Sequence, residues 1–200
     1  MIGNYTLREN YSSPNLFEKV NILTEEEIKK LAKGIEWTLK YYPSAVLVGG
    51  TALVHYLPSS RDLTPDIDFL VDNISILKNI ADNQDILYRP LRDSYNNVMG
   101  ITVDEFNTDY LDGNVNNPAV NKLILSIYNL ATIGGFTVRI INPELLAIMK
   151  LELGREKDIN DGFALIQSGI LNKENYLKYL NMLKNNLQDY ESLLSYTEMV

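Results

Sequence analysis

The run "DIDFLV", Asp66 to Val71, sets two carboxylates one residue apart on a stretch that otherwise reads as buried strand. In an extended chain alternate side chains share a face. Asp66 and Asp68 then lie about 6.6 Å apart on one side, with Ile67 and Phe69 turned the other way into a core. Two acids on a half-buried strand repel each other and lose hydration, so a positive partner is expected beside them. Hard divalent cations such as Mg2+ prefer oxygen ligands and suit this mount. The same triplet is common on edge strands with one solvated face, and alone it does not separate the two readings.

Upstream, "VLVGGT" ends an apolar run in Gly49-Gly50, with Thr51 in the first turn of the helix expected next. Residues without a Cβ let backbone approach a ligand closely, and the free N–H groups and dipole of a helix start favour a phosphate. The run is neither a P-loop nor a GxGxxG fingerprint, and an ordinary glycine turn has the same look. Downstream, "GITVDEF" offers a third acid. Alternation puts Thr102, Asp104 and Phe106 on one face and Ile101, Val103 and Glu105 on the other. Giving Ile101 and Val103 to the core favours Asp104, with Glu105 as the alternative. Two-metal phosphoryl transfer needs such a third clamp. Later, "KLELGREKDINDGF" packs Lys150, Arg155, Lys157, Asp158 and Asp161 together; Lys150 and Arg155 suit phosphate oxygens, although helical charge runs are usually solvated.

The elements around these residues predict an α+β fold. "LTEEEIKKLAKGIEWTLKYY" is a helix, with Thr24 and Glu27 as a capping box and Ile28, Leu31, Ile35 and Leu39 on one face. "AVLVGG" is a strand, "TALVHYL" a helix, "DIDFLVD" a strand and "ISILKNIADN" a helix. "DILYRPL" and "NVMGITVDEF" are further strands, and "NTDYLDGNVNNPAV" is a loop by its Asn, Asp, Gly and Pro content. "KLILSIYNLATIGGFTVRII" is a hairpin turning at Gly134-Gly135. "PELLAIMKLELG", "KDINDGFALIQSG" and "KENYLKYLNMLKNNLQDYESLL" are helices. The expected organisation is an α/β core over residues 1–170, with 171–200 a helical extension of the same domain.

At 200 residues, 46% of them hydrophobic and 22% charged, the chain suits one sizeable core. A net charge of −8 argues against a broad nucleic-acid or anionic-membrane surface. The absence of cysteine excludes disulfides, zinc–thiolate sites and thiol catalysis. No apolar run reaches membrane-spanning length, and "MIGNYTLREN" lacks a signal-peptide core, so the expected location is the cytoplasm. His55, the single histidine, sits among apolar neighbours and reads as structural.

Taken together, "VGGTAL", "RDLTPDIDF", "VDEF" and "NPELLAIMKLELGREKDINDGFAL" resemble the nucleotidyltransferase superfamily of the DNA polymerase β type. Within it they look most like the minimal and AbiEii-type toxin branches of prokaryotes. The resemblance runs from Val46 to Leu165. It implies a mixed β-sheet flanked by helices, with C-terminal helices packed on it. It also implies transfer of a nucleoside monophosphate from an NTP to a hydroxyl of an acceptor (a small molecule, an RNA end or a protein), with Mg2+ or Mn2+ as cofactor. Asp66, Asp68 and Asp104 would then be the catalytic metal ligands. Gly49, Gly50, Thr51, Arg61, Lys150, Arg155 and Asp158 would serve nucleotide binding, with Asp158 or Asp161 supporting Lys150. An antitoxin is the implied partner. Most relatives carry Gly-Ser where this chain has Gly50-Thr51. The competing reading is a catalytically silent nucleotide-binding or regulatory module of the same fold, and a weaker one is a phosphohydrolase using Asp68 as nucleophile.

Overall fold

A computed structural model describes residues 25–58, 66–75, 77, 88–92, 98–103, 106–114 and 117–200. Helix α1 (Glu25–Tyr41) leads to the buried strand β1 (Val46–Val48), which passes directly into α2 (Gly49–Tyr56). Strands β2 (Asp66–Val71), β3 (Tyr88–Arg92), β4 (Val98–Val103) and β5 (Phe106–Asp112) follow, then α3 (Pro118–Ser126) and the hairpin β6 (Tyr128–Ile133) and β7 (Phe136–Ile141). Helices α4 (Pro143–Leu153), α5 (Glu156–Gln167), α6 (Lys173–Leu183) and α7 (Tyr190–Ser195) close the chain, ending in a 3-10 turn.

The strands form one mixed sheet of 7 strands in the order β3-β4-β5-β2-β1-β7-β6. Strand β1 is antiparallel to β2 and parallel to β7, and β2 is parallel to β5. This is an α+β architecture with a mixed sheet flanked by helices, as expected.

One face of the sheet packs under α1. Ile67, Phe69, Thr108 and Tyr110 are fully buried there, as are Ile35 and Thr38 of the helix. The Tyr110 and Thr38 hydroxyls share a hydrogen bond of 2.6 Å, and the Tyr110 ring lies 5.4 Å from Tyr42 and 5.9 Å from Trp37. Helix α1 comes close to β5 at Gly34, where a Cβ would stand 2.6 Å from Thr108 Oγ1. The apolar face of α1 therefore centres on Gly34, Ile35, Trp37 and Thr38 rather than on the expected stripe alone. The capping box and the first half of that stripe lie outside the described side chains.

Three elements differ from the sequence reading. Residues 107–112 and 118–120 are not loop: β5 runs to Asp112, and α3 begins at Pro118 behind its cap Asn117, which accepts a hydrogen bond from Val120 N at 3.3 Å. Asn and Asp serve here as strand-face and capping residues, and packing of Thr108 and Tyr110 overrides the loop composition. The expected hairpin turns at Gly134-Gly135, but its first arm begins only at Tyr128, because "KLILS" completes α3. The expected long C-terminal helix breaks after Leu183. Asp189 starts a new one by accepting from Ser192 N at 3.1 Å, and the intervening Asn185-Asn186 pair favours turns over helix. The helix expected over 74–83 lies mostly outside the described residues.

Residues 171–200 do not form a separate core. Tyr176, Tyr179, Leu180, Leu183 and Leu193 join the same buried cluster as β1 and α4.

Candidate active site

Strand β1 pairs with β2 only as far as Val48 and Asp68. Beyond that point the chain turns into α2 at Gly49, whose φ of 65° is a left-handed conformation that costs an ordinary residue strain. A Cβ at Gly49 would overlap the Asp68 carboxylate. The Gly50 backbone N–H favours the charged form of the same carboxylate. The diglycine corner is therefore shaped around Asp68.

On the other side β2 pairs in parallel with β5, setting Asp66 opposite Asn107 and Asp68 opposite Asp109. Register partners present their side chains to the same side of a sheet. Asp66, Asp68, Asn107 and Asp109 thus share the face turned away from α1. Next in the sheet, Gly100 of β4 pairs with Asp109, and a Cβ there would stand 2.9 Å from Asp109 Oδ1. The missing side chain of Gly100 leaves room first for the Thr108 carbonyl, which that Cβ would overlap, and then for the Asp109 carboxylate.

The electrostatics follow from this crowding. Burial, and then the neighbouring Asp66 and Asp109 carboxylates, push Asp68 up to about 6. Lys150 and the Gly50 N–H oppose that rise. Burial, with Asp66 second, also raises Asp109. Burial first, and crowding of like charge second, penalise the ionised forms of these acids relative to an aspartate in water.

The nearby cation is Lys150 of α4, almost fully buried. Its Nζ lies 2.7 Å from Asp158 Oδ1 and 2.9 Å from Asp161 Oδ2. The other Asp158 oxygen accepts from Arg155 Nε. Burial alone would raise Asp158, but hydrogen bonds from Lys150 and Arg155 outweigh it and hold the group below the usual carboxylate range. The α4–α5 turn that brings these residues together is made by Gly154, at a φ of 67°.

Of the residues singled out from sequence, the structure brings together Gly49, Gly50, Asp66 and Asp68, with Lys150 close enough to act on Asp68 electrostatically. Asp158 and Asp161 attach to Lys150. Arg155 is largely exposed and reaches the cluster through Asp158. Thr51 is buried, and its hydroxyl donates to the Asp66 carbonyl at 3.2 Å. Arg61, Asp104 and Glu105 lie outside the described residues. His55 packs its ring edge-on against Tyr56.

Sequence reading missed Asp109 and Asn107. The alternation Phe106-x-Thr108-x-Tyr110 carried the strand signal, with the polar residues between them on the opposite face. Among the described residues, no group of three His, Cys, Asp or Glu side chains stands ready to hold a metal ion. What suits a divalent cation is the donor chemistry: oxygen ligands only, crowded, and short of positive charge.

Among solved structures, an antigenic nucleotidyltransferase-like protein from Paracoccidioides brasiliensis matches with a TM-score of 0.53 at 16% identity, over 88% of this chain and 94% of that one. The likeness is one of fold, and this chain has a nucleotidyltransferase-like fold. No family model matches the sequence, and no curated protein does. Among the described residues no helix is long and apolar enough to cross a membrane.

Proposed function

We infer that the chain is a metal-dependent nucleotidyltransferase, moving a nucleoside monophosphate from an NTP to a hydroxyl of its acceptor. The observation that carries this reading is the pairing of Asp68 with Asp109 in register, beside the diglycine corner and within electrostatic reach of Lys150. Asp66, Asp68 and Asp109 would hold Mg2+ or Mn2+. Adjacent strands lie about 4.8 Å apart, so side-chain rotation can bring the three carboxylates onto shared ions. Bound there, the ions supply charge that polarises the α-phosphate and acidifies the acceptor hydroxyl.

The chain's own groups do the rest. The start of α2 offers backbone N–H donors and its dipole to the triphosphate. Lys150 offsets part of the negative charge at Asp68. Asp109, facing the site from β5, accepts the acceptor's proton as the oxygen bonds to the α-phosphorus and pyrophosphate leaves. The third carboxylate is thus assigned to Asp109 on β5, in the role first given to Asp104.

Incubation with α-labelled NTPs, Mg2+ and cell extract tests the reading. Label should appear on an acceptor with the native chain and not with Asp66→Asn or Asp68→Asn. Label transfer that survives both substitutions ends the proposal.

The toxin role rests on the resemblance of the Lys150, Arg155, Asp158 and Asp161 run to the AbiEii-type branch; these four side chains make a single ion-pair network here. Induced expression should arrest bacterial growth, and Asp68→Asn should not; a neutralising antitoxin would be the partner. A silent nucleotide-binding module is the second reading. It is favoured by the Thr51 hydroxyl already being engaged within the protein. Calorimetry separates the two: metal-independent NTP binding without product would favour the silent module.

A further inference from the structure

In the ladder between β1 and β2, pairing stops at Val48 and Asp68 because the chain leaves the sheet at Gly49. Asp66, the first residue of β2, is consequently paired on its β5 side with Asn107 and has no strand partner on its β1 side. An unpartnered carbonyl at a strand end frays easily, and fraying here would move a site carboxylate. The Thr51 hydroxyl stands where the missing partner would be, donating to the Asp66 carbonyl at 3.2 Å from a side chain that is only 1% exposed.

We propose that Thr51 is a positioning residue: its hydroxyl substitutes for the absent ladder bond, fixes the start of β2, and thereby aims the Asp66 carboxylate. The inference rests on the nucleotidyltransferase reading and changes the work given to the Gly49-Gly50-Thr51 corner. Each of its three residues serves an aspartate. Gly49 leaves room for the Asp68 carboxylate, the Gly50 N–H favours its charged form, and Thr51 holds the Asp66 backbone. A triphosphate at this corner is met by backbone and dipole, and not by the Thr51 hydroxyl. The extra methyl of threonine, compared with serine, suits a side chain buried against core.

The test compares Thr51→Val, which keeps shape and loses the donor, with Thr51→Ser, which keeps the donor. Amide hydrogen exchange at residues 66–69 should quicken about five- to tenfold in Thr51→Val, the loss of one partly buried hydrogen bond, and stay near native in Thr51→Ser. Mn2+ affinity should fall in Thr51→Val and be kept in Thr51→Ser. With NTP as substrate and metal at saturation, kcat should drop in Thr51→Val while KM for NTP stays within about twofold. A raised KM at constant kcat, or unchanged exchange at 66–69 in Thr51→Val, overturns the proposal. Quickened exchange in Thr51→Val, together with no nucleotide transfer by the native protein, would overturn the enzymatic reading and leave the tether standing.

Discussion

Asp68 and Asp109 stand directly opposite each other on the parallel strands β2 and β5, and burial raises the proton affinity of both. The fold spends stability to keep them there. A sheet interior that needed only packing would place apolar residues at these positions, as the opposite face does with Phe69 and Tyr110.

Removing the Asp109 charge has two consequences of opposite benefit. Asp109→Asn should lower kcat for nucleotide transfer at least about a hundredfold, the scale of losing one preorganised electrostatic group. It should also lower the pKa of Asp68, since Asp109 is one of the carboxylates that raise it. Carboxyl-carbon NMR titration of Asp68 in native and variant protein checks the second effect without any substrate.

Stability should depend on pH through Asp68. In the unfolded chain an aspartate titrates at about 3.9, and in the fold Asp68 is pushed up to about 6. Between those values the folded state holds a proton that the unfolded state has lost. The stabilisation is therefore fully present below the unfolded value and is lost as pH rises through about 6, by on the order of 2 kcal/mol. Urea unfolding at pH 4.5 and 7.5 should show that slope in the metal-free native chain. Asp68→Asn should flatten it and stabilise the protein at neutral pH.

Lys150→Met should do the reverse. Asp158 would stay fully buried with its charge opposed only by Arg155, and broken buried pairs cost about 3–5 kcal/mol. Because the Asp158 pKa is held low, its contribution is present above the unfolded value and lost as pH falls through the folded one. The variant should accordingly unfold at a higher pH on acidification than the native chain, as followed by circular dichroism.

Gly49→Ala tests the corner itself. An alanine there takes on a left-handed backbone, costing about 1–2 kcal/mol, and its Cβ overlaps the Asp68 carboxylate. The sum should lower the urea midpoint and abolish transfer even where the protein still folds. Gly135, also at positive φ but with open space around it, should tolerate alanine at the cost of backbone strain alone.

Much of this was legible in the sequence because it was written in local signals. Two glycines ending an apolar run marked the β1–α2 corner, and strict alternation marked β2 and its acids. The run "PELLAIMKLELG" marked α4. Asp109 was not legible by composition. Its strand carries Asn, Thr and Asp on a face that is polar because it is the candidate site, so it reads as loop until Thr108 and Tyr110 are seen packing under α1. The Lys150 network was visible as a charge run, but whether it was a solvated face or a buried cluster depended on the α4–α5 turn. The engagement of the Thr51 hydroxyl by Asp66 depended on where the β1–β2 ladder stops, which no local pattern specifies.

The most direct measurement of the central claim is Mn2+ titration followed by electron paramagnetic resonance, at pH 7.5 with a non-hydrolysable NTP present. Native protein should bind the ion, and Asp66→Asn, Asp68→Asn and Asp109→Asn should each weaken binding about tenfold or more. Binding that is absent from the native chain, or that survives all three substitutions unchanged, would contradict a cation site built across β2 and β5.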